Sequence, residues 1–523
     1  MNRRRFIGAA LGSLAAPAFA QDALFDRART AARGVVDIGS RKQLFLDDLL
    51  IAERSRISKL PKHPEKHATN PILVPDQPWE RFGYDRAGEV EVVRQEGVEI
   101  TGQCVLYDED EKIFKMWYVP YAWQTGLIPL CYAFSHDGFR WEKPQLGLYE
   151  FEGSKKNNIL RAEDERTSAG YFNVVKDPND PDPRRRYKAM GETEGAQGAN
   201  TYGGVAVAFS PDGLSWTEHP GNPVVKHGPN LGDAPTMMGW DPRISKYLGF
   251  FRPGHPIARE IDGIGKHRHI RTIGYSTSED FIHWTPTEIM LAPDEGDRVD
   301  AQYMQFTAAW YEGFYVGLLM IHHTHEQTWD TYLLSSRDGF RWNWIDRPTP
   351  FLGRGPVGSY DAGYQTPSGP IVHDGKIWIY YGAFSGAHSF VRNRLGTNRM
   401  TVAVATLPKD RYVGLLAGPD RGILGTRPVT FTGSRLLVDF DASLPDSKTS
   451  DGRGFDECEV RASLLDQSGG LLEGFTLERS KRVTEGGVQE ISWQGADLQK
   501  LAGKPVRIRF EMRNAALHSI QFV

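Results

Sequence analysis

Cysteine is nearly absent from this chain: Cys104, Cys131 and Cys458 are the only three in 523 residues. An odd, sparse set is no disulfide framework. Cys104 and Cys131 sit in apolar, strand-like runs and are expected to be buried small hydrophobes. No apolar run of about 18 residues follows the first twenty positions, so no transmembrane helix is expected. Glycine-rich phosphate loops, a G-x-S-x-G elbow and C-x-x-C pairs are also missing, which leaves nucleotide, serine-hydrolase and zinc-finger readings without support. An excess of basic charge is lacking too. Lys+Arg number 62 against 66 Asp+Glu, for a formal charge of −4, and a mildly acidic body argues against nucleic acid or an anionic membrane as partner.

Turn formers and aromatics are abundant instead: 55 Gly, 32 Pro and 13 Trp, with few helix-period stretches. That composition suits an all-β protein rich in turns, and the length calls for two domains. Residues 1–20 open with Met1-Asn-Arg-Arg-Arg-Phe6, continue apolar to Ala16 and end in Ala18-Phe19-Ala20. This reads as an export signal of the twin-arginine type, cut before Gln21, and places the protein in the periplasm or outside the cell. Removing its three arginines takes the formal charge from −4 to −7.

One phrase then recurs four times: Ser135-His-Asp137-Gly138-Phe-Arg-Trp141, Ser210-Pro-Asp212-Gly213-Leu-Ser-Trp216, Ser278-Glu-Asp280-Phe281-Ile-His-Trp284 and Ser336-Arg-Asp338-Gly339-Phe-Arg-Trp342. Each copy follows a β-rich run, and the aspartates recur at 137, 212, 280 and 338. Strand, tight turn and Trp at blade-like intervals predict a β-propeller. Asp can bond amides two residues on, Gly supplies positive φ, and Trp fills space between blades. The third copy has Phe281 in place of Gly yet keeps Asp280 and Trp284, which favours a structural role over calcium or sugar binding. Five strand–turn–strand units are expected over residues 42–428 after a linker at 21–41. The fifth ends in Leu407-Pro-Lys-Asp-Arg-Tyr412 and is atypical, as ring closure requires. Short alternating strands over 429–523 predict an appended β-sandwich.

Consecutive strands of a blade are antiparallel. The start of strand one, the end of strand two and the start of strand three therefore share a face, and the repeated phrase lies on the other. At the first face, strand one begins near Glu99, Asn173, Asp233, Asp300 and Asp361, and strand two ends near Tyr121, Glu192, Arg252 with His255, His322-His323-Thr-His325, and Tyr381. Converging carboxylates suit glycosidic cleavage, one acid protonating the leaving oxygen while another carboxylate attacks or activates water. The expected carboxylate core is Asp233, Asp300 and Asp361, with Glu192 or Glu99 as the acid. Arg252, His255, Arg271, His323, His325, Tyr364 and Gln365 are expected substrate contacts. His323 and His325, two apart on a strand, would face the same way and read as a hydrogen-bonding pair rather than a metal site. No metal or other cofactor is expected.

The Ser-x-Asp-Gly-x-x-Trp phrases and the closing Leu407-Pro-Lys-Asp-Arg-Tyr resemble the five-bladed propeller superfamily of glycoside hydrolase families 32, 43, 68 and 130. Leu44-Phe-Leu-Asp-Asp, Pro78-Trp-Glu, Phe114-Lys-Met-Trp-Tyr, the Asp361-Ala-Gly segment and Ile377-Trp-Ile-Tyr-Tyr-Gly resemble a bacterial family-32-like glycosyl hydrolase group with a C-terminal sandwich. The resemblance covers roughly residues 40 to 523. It implies an exported glycoside hydrolase acting on an oligo- or polysaccharide, with a non-catalytic carbohydrate-binding propeller or a phosphate-dependent phosphorylase as alternatives. The superfamily's acids opening blades one and two have no direct counterpart. The nearest early Asp is Asp85, and blade two offers Asn173 in the channel strand.

Overall fold

The computed structural model describes residues 34–80, 96–120, 127–164, 169–193, 204–226, 235–255, 270–388, 399–442 and 458–523. Among these the secondary structure is β, with a few single-turn 3-10 segments such as Pro78–Glu80. Five four-stranded antiparallel units follow one another as blades. The first has an inner strand in two pieces, Glu96–Glu99 and Val105–Asp108, then Ile113–Pro120, Leu127–Ser135 and Ile159–Asp164. The second comprises Ala169–Lys176, Tyr187–Thr193, Gly204–Ser210 and two short outer pieces, Thr217–Glu218 and Val225–Lys226. The third comprises Thr236–Asp241, Lys246–Phe251, Ile273–Ser278 and Glu288–Leu291. The fourth comprises Ala301–Tyr311, Phe314–His323, Thr328–Ser336 and Asn343–Trp344.

The fifth blade closes the ring with strands from both ends of the chain. Tyr364–Pro367 with Ile371–His373, Lys376–Phe384 and Arg399–Pro408 are completed by Glu65–Lys66 on the outside. At its inner end, Arg399 and Met400 pair in parallel with Glu96 and Gly97 of blade one. That approach needs glycine: a Cβ at position 97 would lie 2.4 Å from the Met400 Cβ.

The repeated phrase lies where strand pairing predicts. Ser135, Ser210, Ser278 and Ser336 end third strands opposite Phe114, Tyr187, Tyr247 and Tyr315, the beginnings of second strands. In each copy one Asp oxygen accepts two successive backbone N–H groups, as Asp137 Oδ1 does from Phe139 (2.8 Å) and Arg140 (2.7 Å). Gly138, Gly213 and Gly339 have φ of 78°, 79° and 85°, and Phe281 adopts 69° in the same place. Phe281 bears that conformation because its ring is fully buried against Tyr247 and Trp284.

The same face carries a set of contacts between blades that composition does not reveal. A tyrosine opening the second strand of one blade donates to an aspartate ending the first strand of the blade before: Tyr187 to Asp108 (2.8 Å), Tyr247 to Asp177 (2.6 Å), and Tyr315 to Asp241. Each aspartate is buried and also meets a cation, Lys115 and Lys176, Lys188, and Arg243 respectively.

The sandwich takes more of the chain than expected. Its sheets combine Val413–Ala417, Gly422–Thr426 and the strands beyond them with Val36–Gly39, Gln43–Leu44, Ile51–Ser55 and Ile57–Pro61 from the N-terminal side. The boundaries expected at 42 and 428 therefore move. Residues 36–61 and 413–523 share one apolar core, because Ile38, Phe45 and Leu50 pack with Leu415, Leu424 and Phe510. All three cysteines are free and buried.

Candidate functional site

The inner strands of the five blades meet around the ring axis through buried polar side chains. Thr101 donates to Gln305 (2.6 Å), Thr366 to the Ile100 carbonyl (2.6 Å), and Thr236 to the Phe306 carbonyl. Asn173 accepts from the Gln103 amide (2.9 Å) and donates to the Pro235 carbonyl (2.7 Å). These bonds join blades one to five and floor the channel. Asn173 is thus a floor residue that ties blade two to blades one and three.

Glu99 ends the first piece of the blade-one inner strand, opposite Val119 and two residues before Thr101 of this floor. Val98 beside it is buried between blades five and one. Burial pushes the Glu99 carboxyl up to about 7. A carboxylic acid that keeps its proton near neutrality is the equipment of a general acid.

Asp300 directly precedes the inner strand of blade four. Burial acts to raise its carboxyl, but the His325 backbone N–H, 3.0 Å away, and the charges of Arg298 and His323 outweigh it and hold the group below its ordinary value. Glu99, on the inner strand of blade one, and Asp300, just before that of blade four, thus lie in environments that move their protonation in opposite directions.

Asp361 is placed differently. It is buried, and its oxygens are taken by Lys66 (2.5 Å), Ser359 (3.1 Å), Gln365 (3.3 Å) and Tyr381 (3.3 Å). Lys66 belongs to the strand that closes blade five, so Asp361 joins ring closure to the entry of that blade's inner strand. Gln365, fully buried, also donates to the Gly353 carbonyl (3.0 Å). Glu192 ends the second strand of blade two opposite Val205, at the level of the mouth. Asp233 and Tyr121 lie outside the described residues. His255 forms a two-residue ladder with Ile270, which brings Arg271 opposite Gly254.

His323 and His325 do not face the same way. The second strand of blade four ends at His323, the chain turns with a Gln327 N–H to His323 carbonyl bond (2.7 Å), and His325 is exposed. His323 is buried, with its Nε2 3.1 Å from Asp330 Oδ2, while Arg354 Nε donates to Asp330 Oδ1 (2.8 Å). Burial would raise the Asp330 carboxyl, and His323 and Arg354 together bring it below its ordinary value. Arg252 is buried and donates to the Met304 carbonyl (3.2 Å). The Arg271 backbone N–H donates to Gln302 Oε1 (2.8 Å). Tyr364 stacks on Phe384, centroids 3.9 Å apart, and meets Trp329 at 4.8 Å.

Sequence reading missed Trp329, Asp330, Arg354, Lys66 and His388. The signal for the first two was available, since the start of strand three shares the mouth with the positions that were inventoried. Lys66 and Arg354 come from connecting segments whose reach no periodicity encodes. Among the described residues no group of three or more His, Cys, Asp or Glu side chains is placed to hold a metal ion, and no helix is long and apolar enough to cross a membrane.

No family model matches the chain, and no curated protein matches it. Solved structures do. A glycosyl hydrolase from Bacteroides ovatus is similar over 71% of this chain and 98% of its own, with 15% identity and a TM-score of 0.41. A structure described under "The GH130 family of mannoside phosphorylases contains glycoside hydrolases that target beta-1,2 mannosidic linkages in Candida mannan" is similar over 67% of this chain and 94% of its own, with 15% identity and a TM-score of 0.41. An N-acetylgalactosamine deacetylase from F. plautii, in complex with blood group B trisaccharide, is similar over 68% and 97%, with 14% identity and a TM-score of 0.41.

Proposed function

We propose that the protein is a carbohydrate-active enzyme, a glycoside hydrolase that cleaves an oligo- or polysaccharide at the propeller mouth. Glu99 carries this reading: a half-buried carboxylic acid on the inner strand of blade one, lifted to about 7 by burial. In this reading Glu99 protonates the leaving oxygen. Asp300, kept ionised, is the carboxylate that attacks or activates water, with Glu192 as a further acid of the mouth. Arg252, Arg271 and His323 orient substrate hydroxyls, and Asp330 with Arg354 fixes the His323 ring. Asp361 is reassigned from catalyst to anchor, because its oxygens are held by Lys66, Tyr381, Ser359 and Gln365. Export through a twin-arginine signal to the periplasm or beyond belongs to the same proposal and rests on residues 1–20.

Glu99→Gln keeps the shape and removes the acid. Reducing-sugar release from a panel of polysaccharides should fall by about 10²–10⁴-fold with the melting temperature unreduced; undiminished release would remove Glu99 from the mechanism. A phosphorylase is the second reading, favoured by the positive charge that Arg271 and His388 bring to the mouth, where both help depress the His322 imidazole. Turnover that requires inorganic phosphate would select it. Binding of glycans without any product would select a lectin.

A further inference from the structure

Among the described residues, His322 is a buried titratable group near the mouth to which hydrolysis assigns no role. It is the penultimate residue of the second strand of blade four, opposite Trp329, and is 3% exposed. Neither ring nitrogen completes a hydrogen bond among the described residues, although the Gln327 side chain approaches closely enough to favour the protonated ring, and Trp329 Nε1 has no partner there either. The two rings lie 6.0 Å apart, and both meet His388, at 4.9 Å each. Tyr364, from the inner strand of blade five, stands 4.8 Å from Trp329. His388 is the half-exposed member and marks the way in. Polar atoms buried without partners cost about 1–3 kcal/mol each, so such a pair calls for a ligand.

The chemistry of the atoms narrows that ligand. Burial, with the charges of His388, Arg271 and His323, pushes the His322 imidazole down to about 3, so it is neutral at working pH. A neutral imidazole offers one donor and one acceptor, and the indole adds a donor. An ionised carboxylate can only accept and would leave the imidazole acceptor unmet. A hydroxyl both donates and accepts, and aromatic walls suit the apolar face of a sugar ring.

We propose that the cleft between blades four and five, walled by His322, Trp329, Tyr364 and His388, is a subsite for a neutral, polyhydroxylated sugar ring. The site rests on the carbohydrate reading but not on the catalytic role of Glu99. Its test is calorimetric titration of the full chain, wild type and Glu99→Gln, with mannobiose, galactobiose and fructan oligomers as neutral probes, and digalacturonate and inorganic phosphate as anionic ones. At least one neutral probe should bind both proteins. Trp329→Phe, which keeps a ring and removes only the N–H, and His322→Phe should each weaken that binding about ten-fold with thermal stability retained. Trp329→Phe suffices should His322→Phe not fold. Neutral binding unchanged in the folded variants, binding of the anionic probes alone, or no neutral binding at all would each overturn the subsite. Full turnover by Glu99→Gln would overturn the catalytic assignment and leave this one standing.

Discussion

The hydroxyl of Tyr247 donates to Asp177 Oδ2 across 2.6 Å, joining the second strand of blade three to the end of the first strand of blade two. Tyr187 with Asp108, and Tyr315 with Asp241, repeat the contact one blade earlier and one blade later. A propeller has little sequence-local contact between blades, so buried polar latches of this kind fix their register. Tyr247→Phe leaves the ring and removes one charge-assisted bond. It should lower unfolding stability by about 1.5–3 kcal/mol, read by chemical denaturation, without changing KM.

The Asx turns lie on that same face, away from the mouth. Asp212→Ala deletes the acceptor of the Leu214 and Ser215 amides, 2.8 and 2.7 Å away. The expected loss is about 1–2 kcal/mol of stability, with kcat/KM within a factor of two of wild type at a temperature where both are folded. A selective loss of activity would move the repeated phrase from scaffold to site.

Buried Asp361 and half-buried Lys66 form an ion pair that closes the ring. Lys66→Met strands the Asp361 carboxylate and should cost about 3–5 kcal/mol. Asp361→Asn, which keeps neutral partners for Tyr381 and Gln365, should restore part of that loss in the double variant, measured by thermal melting as a double-mutant cycle. Additive losses would show that the pair does not act as a unit.

The blades were legible because their signal is local. A β-rich run, an Asp-Gly turn and a Trp lie within one short window, and the antiparallel rule then assigns faces from Ser135, Ser210, Ser278 and Ser336 alone. The site was only partly legible, since it is assembled from five inner strands and from connections between them. Asp300 could be found at a strand start, and Glu99 within a few residues of one. Asp361 looked the same in sequence, and only the approach of Lys66, some three hundred positions away in the chain, shows it to be an anchor. The sandwich boundary failed for a related reason: Ile51–Ser55 and Ile57–Pro61 find partners at Gly422–Thr426 and Val413–Ala417, a pairing no local pattern contains.

The protonation of Glu99 is the claim on which the functional account turns. Its carboxyl sits near 7 in the fold against an ordinary 4.5, so the folded state holds the proton more tightly than the unfolded chain. The associated stabilisation is whole below about 4.5 and is lost as pH rises through about 7. The direct measurement is the pH dependence of kcat/KM together with unfolding stability, for wild type and Glu99→Gln, between pH 4 and 9 (about two units either side of the shift). The account predicts wild-type activity that falls as pH rises through about 7, little activity in the variant at any pH, and a variant more stable than wild type, by about 3 kcal/mol, only at the alkaline end. Wild-type activity that stays level through pH 7, or a Glu99→Gln protein that turns over substrate with the wild-type profile, would contradict it.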